Sequence, residues 1–156
     1  MSQTNQAELL FRFNHELGEG PLWDDRNQIL YWVNVVAGQV WRSRLVDGVH
    51  REPECQVVST WVSALGLDGE GRLIASLANG IGRFRWGESP EMLAPLSFDG
   101  TKVAYNDGKC GPDGAFWIGS KDRAHKQGLG RLEHLAPDGR MTTLQDDLVI
   151  SNGLDW

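Results

Sequence analysis

Three short segments place an oxygen-bearing side chain within two residues of a glycine, a pattern that suits binding of a hard metal ion. Glu19 lies in LGEGPLW, Asn106 in AYNDGKC and Asn152 in ISNGLDW. A carboxylate and two amide oxygens from separate segments suit a divalent cation such as Ca²⁺, Mg²⁺ or Mn²⁺ better than a thiol-seeking metal. The alternative is that both asparagines only form turns, because Asn-Gly and Asn-Asp-Gly readily accept positive φ.

The two cysteines do not extend this pattern. Cys55 and Cys110 form no CxxC or CxxH unit, which argues against a zinc site built on thiolates. We expect two free, buried thiols, with a disulfide as the alternative.

The elements that must position these residues are short strands that repeat. Three strand-like runs each follow a turn rich in Asp, Gly or Asn: QILYWVN (28–34), GRLIASL (71–77) and GAFWIGS (114–120). Their apolar centres, Leu30, Leu73 and Phe116, recur at two intervals of 43 residues. A further strand follows each run: QVWRSRL (39–45), GIGRFRW (80–86) and GRLEHLAP (130–137). A period of about 40–45 residues is typical of a β-propeller blade of four antiparallel strands.

The repeat predicts one all-β domain over residues 1–156. Its blades lie at roughly 16–60, 61–103 and 104–148, and another begins at 149–156. Because propellers typically close with about four to eight blades, we expect only about the first three blades here, as part of a longer chain.

The same interpretation assigns two further features. The segment AELLFRF (7–13) is predicted to be a strand that seals the ring by pairing with a last blade beyond Trp156. The innermost strand of each blade starts at the central channel, so we expect Glu19, Leu65, Asn106 and Asn152, read as matching positions, to converge there.

Composition excludes several classes of function. Twenty-one acidic residues against 15 Lys and Arg give a net charge of -6, with no clustered basic face for nucleic acid. No apolar run approaches the roughly 20 residues that cross a bilayer. The N-terminus lacks the features of a signal peptide, so we expect a cytoplasmic protein without membrane or nucleic-acid partners.

Three longer segments together resemble the senescence marker protein, gluconolactonase and regucalcin family of six-bladed propellers. They are LGEGPLWDDRNQILYWVNVVAGQVWR, YNDGKCGPDGAFWIGS and SNGLDW, and the resemblance runs from about residue 16 to the last residue. It implies that the chain is the N-terminal half of a six-bladed propeller. It also implies hydrolysis of a sugar lactone to the aldonic acid, with one divalent cation (Ca, Mn, Mg or Zn) as cofactor.

The resemblance further implies roles for individual residues. Glu19 and Asn152 match two of the family's metal ligands, and Asn106 matches a residue that contacts substrate. The third ligand, an aspartate that also acts as general acid/base, is expected beyond Trp156. Asp122 falls near another substrate-contact position.

The sequence departs from the family at two positions. Ala104 stands where members often have an arginine for sugar hydroxyls, and Gly111 replaces an aspartate. Both departures bear on which lactone is bound.

Other interpretations remain open at this point. The protein could be a non-catalytic propeller that binds calcium, or one that binds protein partners through Trp41 and Trp86, or an inactive fragment. Blade packing is the alternative role for both tryptophans. Open blade edges also suggest self-association, in which two three-blade chains close one ring.

Overall fold

The structure is a computed structural model that describes residues 6–156, and every regular element in this range is a β-strand. Three antiparallel sheets follow one another in chain order, and each is one blade of a β-propeller. The all-β propeller prediction is confirmed. Residues 1–5 of the predicted domain lie outside the described residues. Within 6–156 there is no helix of the length and apolarity that crossing a bilayer requires.

Each blade is a meander in which consecutive strands pair. Blade 1 contains β1 (Gly18–Asp24), β2 (Ile29–Asn34), β3 (Gln39–Val46), β4 (Val49–His50) and β5 (Glu54–Val57), and both β4 and β5 pair with β3. Blade 2 contains β6 (Val62–Leu67), β7 (Leu73–Leu77), β8 (Gly80–Phe84) and β9 (Glu91–Pro95). Blade 3 contains β10 (Val103–Cys110), β11 (Phe116–Asp122), β12 (Gly130–Leu135) and β13 (Met141–Leu148). The six strand-like runs identified in the sequence correspond to β2, β3, β7, β8, β11 and β12.

The innermost strands β1, β6 and β10 share one irregularity. In each, two residues stand opposite a single residue of the next strand, as in a β-bulge. The bulged pairs are Gly20–Pro21, Ser63–Ala64 and Asn106–Asp107. The first members are 43 residues apart, so the bulge has the same period as the blade.

This register corrects one detail of the sequence alignment. The motifs match Glu19, Leu65 and Asn106, whereas the strand pairing makes Asn106 equivalent to Gly20 and Ser63. The alignment was wrong because it followed the glycines of the motifs, and those glycines occupy different positions relative to the bulge.

The blades stack through both faces of the middle sheet. Leu73, Ala75 and Leu77 of β7 pack against the odd-numbered residues of β2. Ile74, on the opposite face of β7, packs with Phe116. A strand buried on both faces is continuously apolar rather than alternating, which explains the sequence of β7. Trp86 joins the first of these cores, beside Tyr31, with the Arg42 guanidinium 4.2 Å from its ring centroid.

The face of blade 1 turned away from blade 2 is covered by the N-terminal segment. Phe11 stacks on Trp32 with ring centroids 5.9 Å apart, and Phe13 lies 4.8 Å from Trp41. The strand expected at 7–13 stays a prediction, because its expected partner lies beyond Trp156; with the described strands this segment makes no backbone ladder, and its aromatic rings contact blade 1. Trp41 therefore belongs to an intramolecular aromatic cluster.

The innermost strands of blades 2 and 3 approach closely at Gly66. A β-carbon at this position would overlap the Cys110 sulfur and lie 3.1 Å from a ring carbon of Phe116. Both cysteines are free, as expected, but only Cys110 is part-buried and Cys55 is exposed. Burial raises the pKa of the Cys110 thiol to about 11, so the thiol is neutral packing material at physiological pH.

We predict that Gly66→Ala destabilises the fold by about 1–3 kcal/mol, the usual cost of overpacking a core. Gly69→Ala is the matched control, because nothing lies within 4 Å of its added carbon. Urea denaturation followed by tryptophan fluorescence measures both. Adding Cys110→Ala should relieve part of the Gly66→Ala effect, so that the double variant loses less stability than the two single losses combined. Equal stability of Gly66→Ala and Gly69→Ala would contradict this packing.

Candidate functional site

Three of the four predicted site residues lie together at one end of the blades. Glu19, Asp107 and Asn152 line both of two neighbouring cavities, of about 440 and 200 Å³. Asn106 lines the smaller cavity. We call this pair of cavities the channel cleft. The bulges of β1 and β10 supply part of its wall, through Gly20 and Pro21 on one side and the Asn106–Asp107 pair on the other.

Glu19 stands at the start of β1, directly before the bulge. Its side chain is exposed in the cleft, and its carboxylate forms no salt bridge or side-chain hydrogen bond with another described residue. Both of its oxygens are therefore free to coordinate a cation or to accept a hydrogen bond from a bound molecule.

Asn152 lies on a segment that one carboxylate holds in place. Asp107 Oδ2 accepts hydrogen bonds from the backbone N–H groups of Gly153, at 2.7 Å, and Leu154, at 3.0 Å. Its Oδ1 accepts from Gly108 N–H at 2.9 Å. Asp107 thus uses its lone pairs on the backbone and fixes the loop that carries Asn152.

Asn106 ties β10 to the same segment from the other side. Its Nδ2 donates to the Ser151 carbonyl oxygen at 2.8 Å. Gly119, opposite the bulge, allows this approach, because a β-carbon there would overlap the Ser151 side chain. With the amide nitrogen engaged, Oδ1 of Asn106 is the atom left for a ligand.

The structure does not bring Asp122 into the channel cleft. This side chain is 3% exposed and accepts hydrogen bonds from three backbone N–H groups, those of Lys126, Gln127 and Ala124, at 2.9, 2.8 and 3.0 Å. These bonds, the one from Lys126 foremost, hold the pKa of the Asp122 carboxyl below its ordinary value. Asp122 organises the loop after β11.

Lys121, one residue earlier, does enter the cleft. It lines the smaller cavity with Glu19 and Asn152, and its ammonium lies 5.6 Å from the centroid of the Trp61 ring. Burial lowers the pKa of this ammonium and the Arg123 guanidinium lowers it further, while Glu19 acts in the opposite direction.

The side chains present fit a hard cation in donor type but supply only part of its coordination. Within residues 6–156, no three His, Cys, Asp or Glu side chains lie close enough to hold a metal ion. In the cleft, the Glu19 carboxylate and the Asn106 amide oxygen accept no hydrogen bond from another described residue. The Asn152 amide oxygen accepts one, from Gly153 N–H at 3.1 Å, and keeps its second lone pair for a ligand. Ca²⁺ takes about six to eight oxygens and Mg²⁺ six, so water and further groups would complete the shell.

Sequence reasoning missed Asp107 and Lys121. Asp107 stands inside the NDG motif, but its role depends on hydrogen bonds to residues 46 and 47 positions away, which no local pattern indicates. Lys121 could have been found from the alternation of β11, since Gly119 and Lys121 lie on the same face of that strand.

The chain is similar in sequence to proteins of one family. Residues 17–156 match the family model described as SMP-30/Gluconolactonase/LRE-like region. A 6-deoxy-6-sulfogluconolactonase of Pseudomonas putida is 30% identical over 88% of this chain and 47% of its own length. A putative sugar lactone lactonase of Bacillus subtilis is 29% identical over 90% of this chain and 47% of its own length.

A solved structure gives the same result for the fold. The calcium-binding protein regucalcin of Agrobacterium tumefaciens superimposes with a TM-score of 0.74 at 26% identity, over 84% of this chain and 43% of that one. The chain spans about half the length of the curated relatives it matches. With the family model matched over nearly the whole chain, the protein belongs to the SMP-30/gluconolactonase/LRE-like family.

Proposed function

We propose that the protein takes part in the hydrolysis of a sugar lactone to the aldonic acid, in a reaction that depends on a divalent cation. The observation that carries this proposal is the convergence of Glu19, Asn106 and Asn152 in the channel cleft, where each has an oxygen with at least one lone pair left for a ligand. The family and two relatives named as lactonases support the reaction class. The name of the calcium-binding regucalcin supports a cation.

In this proposal Glu19 and Asn152 hold the cation, whose identity among Ca, Mn, Mg and Zn is open. When bound, it supplies Lewis acidity toward the ester carbonyl of the lactone. Asn106 Oδ1 accepts a hydrogen bond from a sugar hydroxyl, while its Nδ2 stays on Ser151. Asp107 positions Asn152 through the backbone. The water-activating base remains the aspartate that the resemblance implies beyond Trp156.

Turnover is the direct test of the reaction. We expect hydrolysis of glucono-1,5-lactone in a pH-stat, above the spontaneous rate, by a protein that contains both this chain and the base proposed above, with each of the four cations tried in turn and with loss of activity in excess EDTA. The metal-loaded protein without lactone is the control. Saturable cation binding without turnover would instead support the non-catalytic calcium-binding alternative.

We predict that Glu19→Gln weakens cation binding at least about tenfold, since a neutral amide replaces the only free carboxylate among the donors. Titration calorimetry with Ca²⁺ and Mn²⁺ measures the change. Glu16→Gln is the matched control, because Glu16 is exposed and lies outside the channel cleft. Affinity that is unchanged in Glu19→Gln would remove Glu19 from the cation site.

We predict that Asp107→Asn loosens the loop around Asn152, because an amide can turn only one acceptor oxygen toward three backbone donors. Hydrogen exchange at the amides of Gly153 and Leu154 should become faster. The affinity for the cation should also fall, although the proposed ligands Glu19 and Asn152 are unchanged. Asp155→Asn is the control, because Asp155 bonds to the Lys109 side chain and to Trp156 N–H, not to these two amides. Unchanged exchange would contradict the positioning role of Asp107.

A further inference from the structure

Two lysines line the channel cleft, and their environments differ. Lys109 is neutralised by Asp155, whose Oδ1 lies 2.5 Å from its Nζ. Lys121 forms no salt bridge with a carboxylate of the described residues and no side-chain hydrogen bond through Nζ. The smaller cavity is therefore lined by an ammonium group, that of Lys121, without a salt-bridge partner among the described residues.

The fold holds Lys121 in this place. Its backbone is opposite Ala104 of β10 on one side and Ile150 on the other. Its stem is half-buried, and Trp61 lies beside its ammonium. Trp61 is itself fixed, because its Nε1 donates to the Tyr105 carbonyl oxygen at 3.2 Å. A lysine held at both its backbone and its tip has less freedom to turn into bulk water.

The surroundings of this ammonium favour an anion from outside. Arg123 lies over the same Trp61 ring, at 5.0 Å, so a second positive charge is close. Glu19 is the acid that faces Lys121 across the cavity, and a cation bound to Glu19 would neutralise it. Like charges in a partly desolvated site repel unless a negative group lies between them.

We propose that Lys121 is a specificity-determining residue that selects sugar lactones carrying an anionic substituent, such as a carboxylate or a phosphate. This inference rests on the proposed function, because it takes the channel cleft as the lactone site. The ammonium donates to the substituent, while the lactone ring lies toward Asn106 and Glu19. Ala104, directly opposite Lys121 in the sheet, places no charge beside it.

The test measures binding of sugars that cannot be hydrolysed. Calorimetry or ligand-observed NMR, with the full chain and with cation present, compares D-glucose with D-glucuronate and D-glucose 6-phosphate. We expect at least one anionic sugar to bind about tenfold more tightly than glucose, the scale of one charge-assisted hydrogen bond. The two anions distinguish a carboxylate from a phosphate.

Variants assign the preference to Lys121. Lys121→Met should lose the preference while keeping the affinity for glucose, and Lys121→Arg should retain it. Lys102→Met is the control, because this lysine lies outside the channel cleft and pairs with Asp99. A merely structural role for Lys121 would lower the affinities for neutral and anionic sugars together.

The outcomes separate this inference from the proposed function. A protein that hydrolyses gluconolactone but binds anionic and neutral sugars equally, or binds none of them, overturns the role of Lys121 alone. Retention of the preference in Lys121→Met overturns it as well. A preference that depends on Lys121, in a protein that hydrolyses no lactone, supports the anion site and rejects lactone hydrolysis.

Discussion

The channel cleft depends on one backbone constraint, the bulge that recurs in the innermost strand of every blade. An extra residue in a strand leaves the ladder locally unpaired and redirects side chains. In blade 2 the bulge is closed internally, because Ser76 Oγ accepts from Ala64 N–H and bonds to Ser63 Oγ, each at 2.9 Å. In blade 3 the residue equivalent to Ser76 is Gly119, and the space is occupied by Ser151. The same backbone device is therefore bridged by the Ser76 hydroxyl in blade 2 and packed against Ser151 in blade 3.

The sequence was sufficient to predict the blades because the stacking of the sheets sets the period of the apolar residues. Stacked sheets require an apolar core on each strand at nearly one spacing, and the equivalent residues Ile29, Leu73 and Phe116, 44 and 43 residues apart, provide it. All three are buried, whereas Leu30, which the sequence alignment places in this row, is one residue further along and faces the aromatic N-terminal segment. The segment 7–13 is a different case, because an apolar run becomes a strand only when a partner backbone pairs with it. Among the described residues it has no such partner, and the part-buried Phe11 and the exposed Phe13 contact the rings of blade 1.

The candidate site was less predictable than the fold. Glu19, Asn106 and Asn152 were found because short motifs carry them, and their meeting in one cleft agrees with the expected convergence at the channel. Asp122 also stands after a motif, yet its oxygens are committed to backbone amides. A carboxylate that caps a loop and one that holds a ligand look alike in a sequence. The difference is which hydrogen-bond donors lie within about 3 Å, and folding alone decides that.

The three acids of the cleft differ in what their oxygens contact. Asp107 accepts hydrogen bonds from three backbone N–H groups, and Asp155 forms a salt bridge with Lys109. Glu19 alone among these acids keeps its charge unpaired, opposite the unpaired charge of Lys121. If the two met directly they would neutralise each other and close the smaller cavity. The fold holds them apart, on β1 and β11, so that neither charge is paired among the described residues.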